Sequence, residues 1–297
     1  MSNVVATGTH LAEAEWHGRR RRHEERVQAW TAGHRARRAR GEKHPVEDFL
    51  FEYYRFRPAW LARWHPGPDI TLGGGSAREF LRWPEYQETP DGVALNLAAF
   101  PPARRETVAW LLQLLRRSQE RPPQFGCFGL HEWAMVYRLE PGAIRHSAWP
   151  LRLKADDIAR VVEAQPLRCT HFDAFRFFTP AARPLNRLQP ARPDAMELEQ
   201  GGCLHANMDL YKWSFKLAPF SPGDLVADCF ELARDIRVVD MRASPYDFRA
   251  LGCEPIAIEA PAGRTEYEAA QREFAERSVP LRERLIALCE RLIGGKG

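Results

Sequence analysis

At 297 residues, 44% hydrophobic and 28% charged, the chain has the composition of a globular protein able to bury a large core. That excludes a collagenous, disordered or disulfide-stapled chain, and the lack of any run of about 18 apolar residues excludes a transmembrane helix. The net charge of +4 is uneven: residues 1–65 hold 13 Arg and Lys against 8 Asp and Glu, whereas the other 232 hold 30 against 31.

Taken in chain order, the first segment to organise itself is 10–41, which predicts one long polar helix. It carries Arg19-Arg20-Arg21-Arg22 and a second cluster at Arg35, Arg37, Arg38 and Arg40. His23, Val27, Trp30 and His34 form a stripe at helical spacing, so one face can pack while the arginines face outward. Residues 1–43 are therefore expected as a basic helical arm on a single globular domain spanning 44–297. From His44 to Trp64 an aromatic-rich run interrupted by Pro58 predicts a buried helix and a short second one. Gly73-Gly74-Gly75 predicts a turn; it lacks a following Gly-Lys-Ser/Thr, which excludes a P-loop, and no GxGxxG opens a helix.

Further along, Thr107–Ser118 and Asp156–Ala164 predict helices. Another begins after Ser221, with the serine as N-cap and Pro222 at the first helical position. Ile236–Met241 and Pro255–Glu259 read as strands, and the tail reads as two helices broken at Pro280, the second being Leu281–Ile293. The expected class is mainly α (α+β), a helical domain with a small sheet. The six cysteines show no CxxC spacing and are expected to be reduced, and the first thirty residues lack the pattern of a secretory signal, so a cytoplasmic protein is predicted.

Chemistry-bearing residues concentrate between Cys127 and Asp247. Three segments each set a histidine near a cysteine and a carboxylate: Cys127 with His131-Glu132-Trp133, Cys169 with His171 and Asp173, and Cys203 with His205 and Asp209. On a helix, His205 and Asp209 at i, i+4 project from one face. On a strand, His171-x-Asp173 would share a face. Two such pairs meeting would supply four N and O ligands for iron, manganese or zinc, with His131, Glu132 or His146 completing a further site. Alternatively, these groups satisfy one another in a buried network without a metal. Each cysteine is also a candidate nucleophile, although nearness to a histidine in sequence does not make a pair.

A fourth segment runs from Asp240 through Arg242, Ser244 and Tyr246 to Asp247. Following a predicted strand into a turn, it offers Asp247 or Asp240 as a general base and Arg242 as a clamp for an anion.

The stretches HPVEDFLFEYY, RPAWLARWHPG, FGCFGLHEWAMVYR, RCTHFDAFRFF, GCLHANMDLYKW and MRASPYD together resemble a bacterial, often actinobacterial, family labelled 3-methyladenine DNA glycosylase. The resemblance runs from about His44 to the tail. It implies processing of alkylated bases, but no helix-hairpin-helix Leu-Pro-Gly-x-Gly element is visible, so no residue is carried over by motif. For that chemistry, Asp247 or Asp209 would activate water and His131, His171 or His205 would manage protons. Trp133, Tyr211, Trp213 and Tyr246 would hold the base, and the basic arm would hold DNA phosphates. The alternatives are a metal-dependent oxygenase or hydrolase of a small molecule, with His171, Asp173, His205 and Asp209 as ligands, and a non-catalytic binding protein. No membrane partner is expected.

Overall fold

The computed structural model describes residues 8–144 and 148–294. In chain order these form β1 (Thr9–Leu11), α1 (Glu13–Ala39), α2 (Phe49–Tyr53), α3 (Pro58–Leu61), β2 (Ile70–Leu72), β3 (Tyr86–Thr89), β4 (Gly92–Leu95) and α4 (Pro102–Glu120). They continue with α5 (Leu130–Ala134), α6 (Ala155–Ala164), α7 (Phe172–Phe175), α8 (Ala195–Leu198), α9 (Leu204–Lys216), α10 (Gly223–Arg242) and α11 (Pro261–Gly294). The class is mainly α with one small sheet, as expected. No helix among the described residues is long and apolar enough to cross a membrane.

Contacts divide the chain into two compact units. One gathers the chain up to Leu112, Leu210–Glu231 and the segment from Glu283 on; the other holds Gln113–Asp209 and Leu232–Arg282. The sheet lies in the first unit, in the order β1-β2-β4-β3, with β1 parallel to β2 and the other pairs antiparallel. The boundary expected near residue 43 falls just after α1, whose contacts group it with the chain that follows, up to Leu112.

Helix α1 buries Trp16, His23, Val27, Thr31 and His34. Thr31 rather than Trp30 completes the predicted stripe, because Trp30 lies half-buried against Phe230 with the Arg26 guanidinium over its ring. Trp16 Nε1 donates to the Gly73 carbonyl at 2.9 Å, and His34 Nδ1 stands 2.9 Å from the Asp48 carboxylate. Gly74 sits at φ 90°, and a Cβ there would fall 2.5 Å from the Glu13 carboxylate that accepts from the Ser76 N–H.

The structure corrects three predicted elements. Ile236–Met241 is not a strand but the last turns of α10. Its β-branched residues favour a strand, yet Leu232, Ala233, Ile236, Arg237, Asp240 and Met241 are buried at helical spacing while Val238 is exposed, and packing overrides propensity. Pro255–Glu259 alternates buried Ile256 and Ile258 as a strand would, but its Ile256 N–H bonds the Arg242 carbonyl and caps α10 instead of joining a sheet. The tail is one helix, α11, with Pro280 inside it. A proline there removes a single backbone bond, while a buried stripe through Gln271, Phe274, Ser278 and Arg282 holds the helix together.

Candidate metal centre and pocket

The site lies wholly within the second unit and is assembled from four helices and the loops that precede α5, α7 and α9. Helix α5 brings His131, Glu132 and Trp133; the first turns of α9 bring His205 and Asp209; the end of α10 brings Arg237 and Asp240; α11 brings Tyr267 and Gln271. Gly129, at φ 71°, opens α5 against Tyr267, where a Cβ would meet the ring at 3.2 Å. The same Cβ would meet Ala243, just past the end of α10, at 3.3 Å, so the glycine allows α5 to lie close to the end of α10 from which Asp240 meets His131.

His131 Nε2 lies 3.1 Å from one Asp240 carboxylate oxygen, and Cys127 Sγ lies 3.6 Å from His131 Nδ1. The His131 and His205 rings meet edge to face at 4.6 Å. One ligand atom from each of His131, His205 and Asp240 lies within 4.8 Å of the others, so this group could hold a metal ion. Behind it, Arg237 stands 3.1 Å from Glu132 and 3.6 Å from Asp240, an almost fully buried ion pair that fixes the carboxylate from the far side.

Burial opposes charge on both His131 and Asp240. Their mutual attraction and hydrogen bond nevertheless hold the imidazole well above its ordinary pKa and the carboxylate below the usual range. His205 is held well below the ordinary imidazole value by burial and by the neighbouring His131 and His171. Its ring nitrogens therefore stay neutral at pH 7, the form in which imidazole binds metals.

The pocket above this group has a volume of about 230 Å³ and draws in all three Cys/His segments seen in the sequence. Cys127, Cys169 and Cys203 line it together with His131 and His205. Burial pushes the Cys203 thiol up to about 12 and the Cys169 thiol well above its ordinary range. Gln124, Phe125, Arg168, Gln200, Tyr267 and Gln271 complete most of the lining.

The predicted ligand set is only partly brought together. His205 belongs to the metal-capable group. His171 caps the N-terminus of α7 rather than lying on a strand, and its Nε2 stands 3.5 Å from Asp209 and 3.6 Å from Glu199. Its ring stacks near His205 at 5.4 Å. Asp173 pairs with Arg176 at 3.1 Å and stays outside the group, because the turn of α7 separates it from the side of His171. His205 and Asp209 do share a helix, as their spacing required, but His205 meets His131 while Asp209 meets His171. His146 lies outside the described residues.

The remaining candidates are spread elsewhere. Asp247, an expected general base, is bound by Arg249, whose hydrogen bonds lower its pKa to about 2, and Arg242, the expected anion clamp, donates to the Glu254 carbonyl and to Glu266; neither lines the pocket. Trp133 is fully buried, donating to the Ala243 carbonyl at 2.8 Å, and Tyr246 is buried beside Phe248. In the first unit Tyr211 sits within a cluster of Tyr54, Phe56, Phe215 and Phe230, and Trp213 packs on Trp110. None of these four aromatic residues lines the pocket. Arg168 and Gln271 line it without a sequence signal, and Asp240 stands out in the sequence only as a candidate general base at the end of a predicted strand.

Comparison with protein-family models, curated proteins and solved structures gives no match.

Proposed function

We propose that the protein is a metal-dependent enzyme acting on a small molecule, with His131, His205 and Asp240 holding a divalent iron, manganese or zinc ion. The observation that carries this reading is the convergence of two imidazoles and one carboxylate, drawn from three separate helices, at a pocket. Two nitrogens and one oxygen are a donor set that suits these metals and leaves coordination positions open, and an ion bound there would displace the proton shared by His131 and Asp240. A bound ion would supply a Lewis acid that activates water for hydrolysis, or, if it is iron, a centre for oxygen chemistry.

The surrounding residues have definable parts in this scheme. Arg237, tied to Glu132, orients the Asp240 carboxylate, and Cys127 beside Nδ1 orients the His131 ring. His171, between Asp209 and Glu199, steadies the far side of His205. None of the six cysteines is in a disulfide, which accords with a reducing compartment and supports a cytoplasmic location.

Metal titration of the wild type and of His205→Ala and Asp240→Asn tests this. Tight binding by the wild type, lost in both variants while circular dichroism stays helical, is expected. Unchanged metal affinity in both would remove these residues from the centre. Excision of 3-methyladenine from alkylated duplex by the metal-free protein would instead make it the DNA-base-processing enzyme that the family resemblance implies.

A further inference from the structure

The pocket's own polar groups say what kind of molecule it takes. No Asp or Glu is among the described residues lining it, and Arg168 is the one Arg or Lys among them, standing apart from the two imidazoles assigned to the metal. Arg168 is exposed at the pocket and has neither an ion pair nor a side-chain hydrogen bond within the described residues. Unlike Arg37, Arg152 and Arg237, which are taken up by carboxylates, its guanidinium is left for a ligand at the pocket.

The backbone on either side of Arg168 is tightly held. Leu167 bridges to Asn186 and its carbonyl accepts from the Arg187 N–H at 3.0 Å; the Cys169 N–H donates to Asn186 Oδ1 at 2.8 Å, and Asn186 Nδ2 donates to the Cys169 carbonyl at 3.0 Å. These bonds hold the root of the Arg168 side chain at the pocket, from which its guanidinium can reach an anion with two parallel N–H groups.

A second group points to a ligand independently. Gln271 is 1% exposed and lines the pocket, and its Nε2 donates to the Gly202 carbonyl at 2.6 Å. That bond fixes the amide so that Oε1 is the remaining group, and Oε1 has no hydrogen-bond partner. A buried acceptor left without a donor is costly, and a ligand N–H or O–H would satisfy it. The volume of about 230 Å³ lies below the roughly 300–1,000 Å³ of sites for drug-sized ligands, so the ligand is small.

We infer that the substrate of this pocket is a small anion that also carries a hydrogen-bond donor, held at its anionic end by Arg168 and at its donor by the Gln271 carbonyl oxygen. The inference rests on reading the pocket as the substrate site of the metal centre and adds the substrate class. A carboxylate and a phosphate share the chemistry that a guanidinium recognises, so the probes must separate them.

Calorimetric titration with N-acetylglycine, acetate, the neutral N-acetylglycinamide and inorganic phosphate does so, with metal content measured on the same samples. Arg168→Ala should weaken N-acetylglycine about ten- to hundredfold and leave it binding no better than N-acetylglycinamide binds the wild type. Gln271→Met should weaken N-acetylglycine about fivefold and leave acetate unchanged. Saturable phosphate binding with the same Arg168 dependence, in place of N-acetylglycine, would assign phosphate as the anion. Unchanged anion affinity in Arg168→Ala, or no saturable binding of either anion in the millimolar range, overturns the inference. Full metal content with anion binding indifferent to Arg168 defeats this inference alone; Arg168-dependent binding by a protein that takes up no metal defeats the metal reading alone.

Discussion

At the scale of single residues, the centre is organised by charges taken out of water and forced to satisfy one another. Glu132, Arg237, Asp240 and His131 form a continuous buried chain, with separations of 3.1, 3.6 and 3.1 Å. Arg237 is the hinge of this chain, since it neutralises Glu132 and anchors Asp240. Removing one partner of a buried pair leaves the other charge uncompensated, which generally costs about 3–5 kcal/mol. Glu132→Ala is therefore expected to lower the unfolding free energy, measured in urea, by about 3–5 kcal/mol and to weaken the metal binding proposed through Asp240. A variant as stable as the wild type would show that Arg237 is satisfied without Glu132.

Little of this chain was legible in the sequence. His131, His205 and Asp240 come from distant segments, and no short spacing encodes their meeting. Asp240 is further disguised, because Ile236, Val238 and Val239 suggest a strand and so place it where a strand runs into a turn instead of on a helix face. The i, i+4 spacing of His205 and Asp209 was readable and correct as helix geometry, but it could not show that the two side chains would find different partners.

At the scale of elements, local sequence signals were reliable where caps and amphipathic stripes agreed, and failed where tertiary packing overrode them. Helices α1, α4 and α6 lie close to their predicted ranges, and the Ser221-Pro222 start places α10 to within a residue or two. Helix α11 shows the opposite case, since Pro280 signalled a break that a continuous buried face suppresses. Because proline in a helix interior is about 3 kcal/mol less favourable than alanine, and its stiffening of the unfolded chain offsets part of that, Pro280→Ala should stabilise the fold by about 1–2 kcal/mol. A lowered urea midpoint would mean that Pro280 makes contacts worth more than the missing bond.

The sheet carries a pH dependence of its own. His65, beside the Tyr86 hydroxyl of β3 at 3.0 Å, has its pKa lowered to about 3 by burial and by the nearby Arg63, His23 and Arg82 charges. Because the folded value lies below the unfolded one, the unfolded chain binds the extra proton between pH 6.5 and 3. This contribution is fully present above about pH 6.5 and is lost as pH falls towards 3, at up to about 1.4 kcal/mol per pH unit. Unfolding free energies measured across that window should fall less steeply for His65→Gln than for the wild type. Equal slopes would show that His65 does not govern this window.

At the scale of the whole molecule, the small sheet and the chemical centre belong to different units. The first unit holds the sheet and the arginine-bearing α1; the second holds every residue of the pocket. Several α1 arginines are already taken up by carboxylates: Arg19 by Glu15, Arg20 by Glu79, and Arg26 by Asp228 and Glu231. The charge excess that marked this helix in the sequence is thus spent in part on intramolecular pairs. Arg35 and Arg38 are exposed on its outer side, where they bear on the duplex-binding role that composition suggests. If that role holds, replacing Arg35 and Arg38 with Ser should weaken duplex binding and flatten its salt dependence; unchanged binding would exclude these two arginines from it.

The most direct test of the metal centre is the metal content of tag-free protein, purified gently after metal-supplemented growth and measured by plasma mass spectrometry. Near-stoichiometric iron, manganese or zinc in the wild type, reduced to traces in His205→Ala and Asp240→Asn, is the expected result. Trace metal in the wild type, with no uptake on titration, would contradict it and leave His131, His205 and Asp240 as a buried acid–base network.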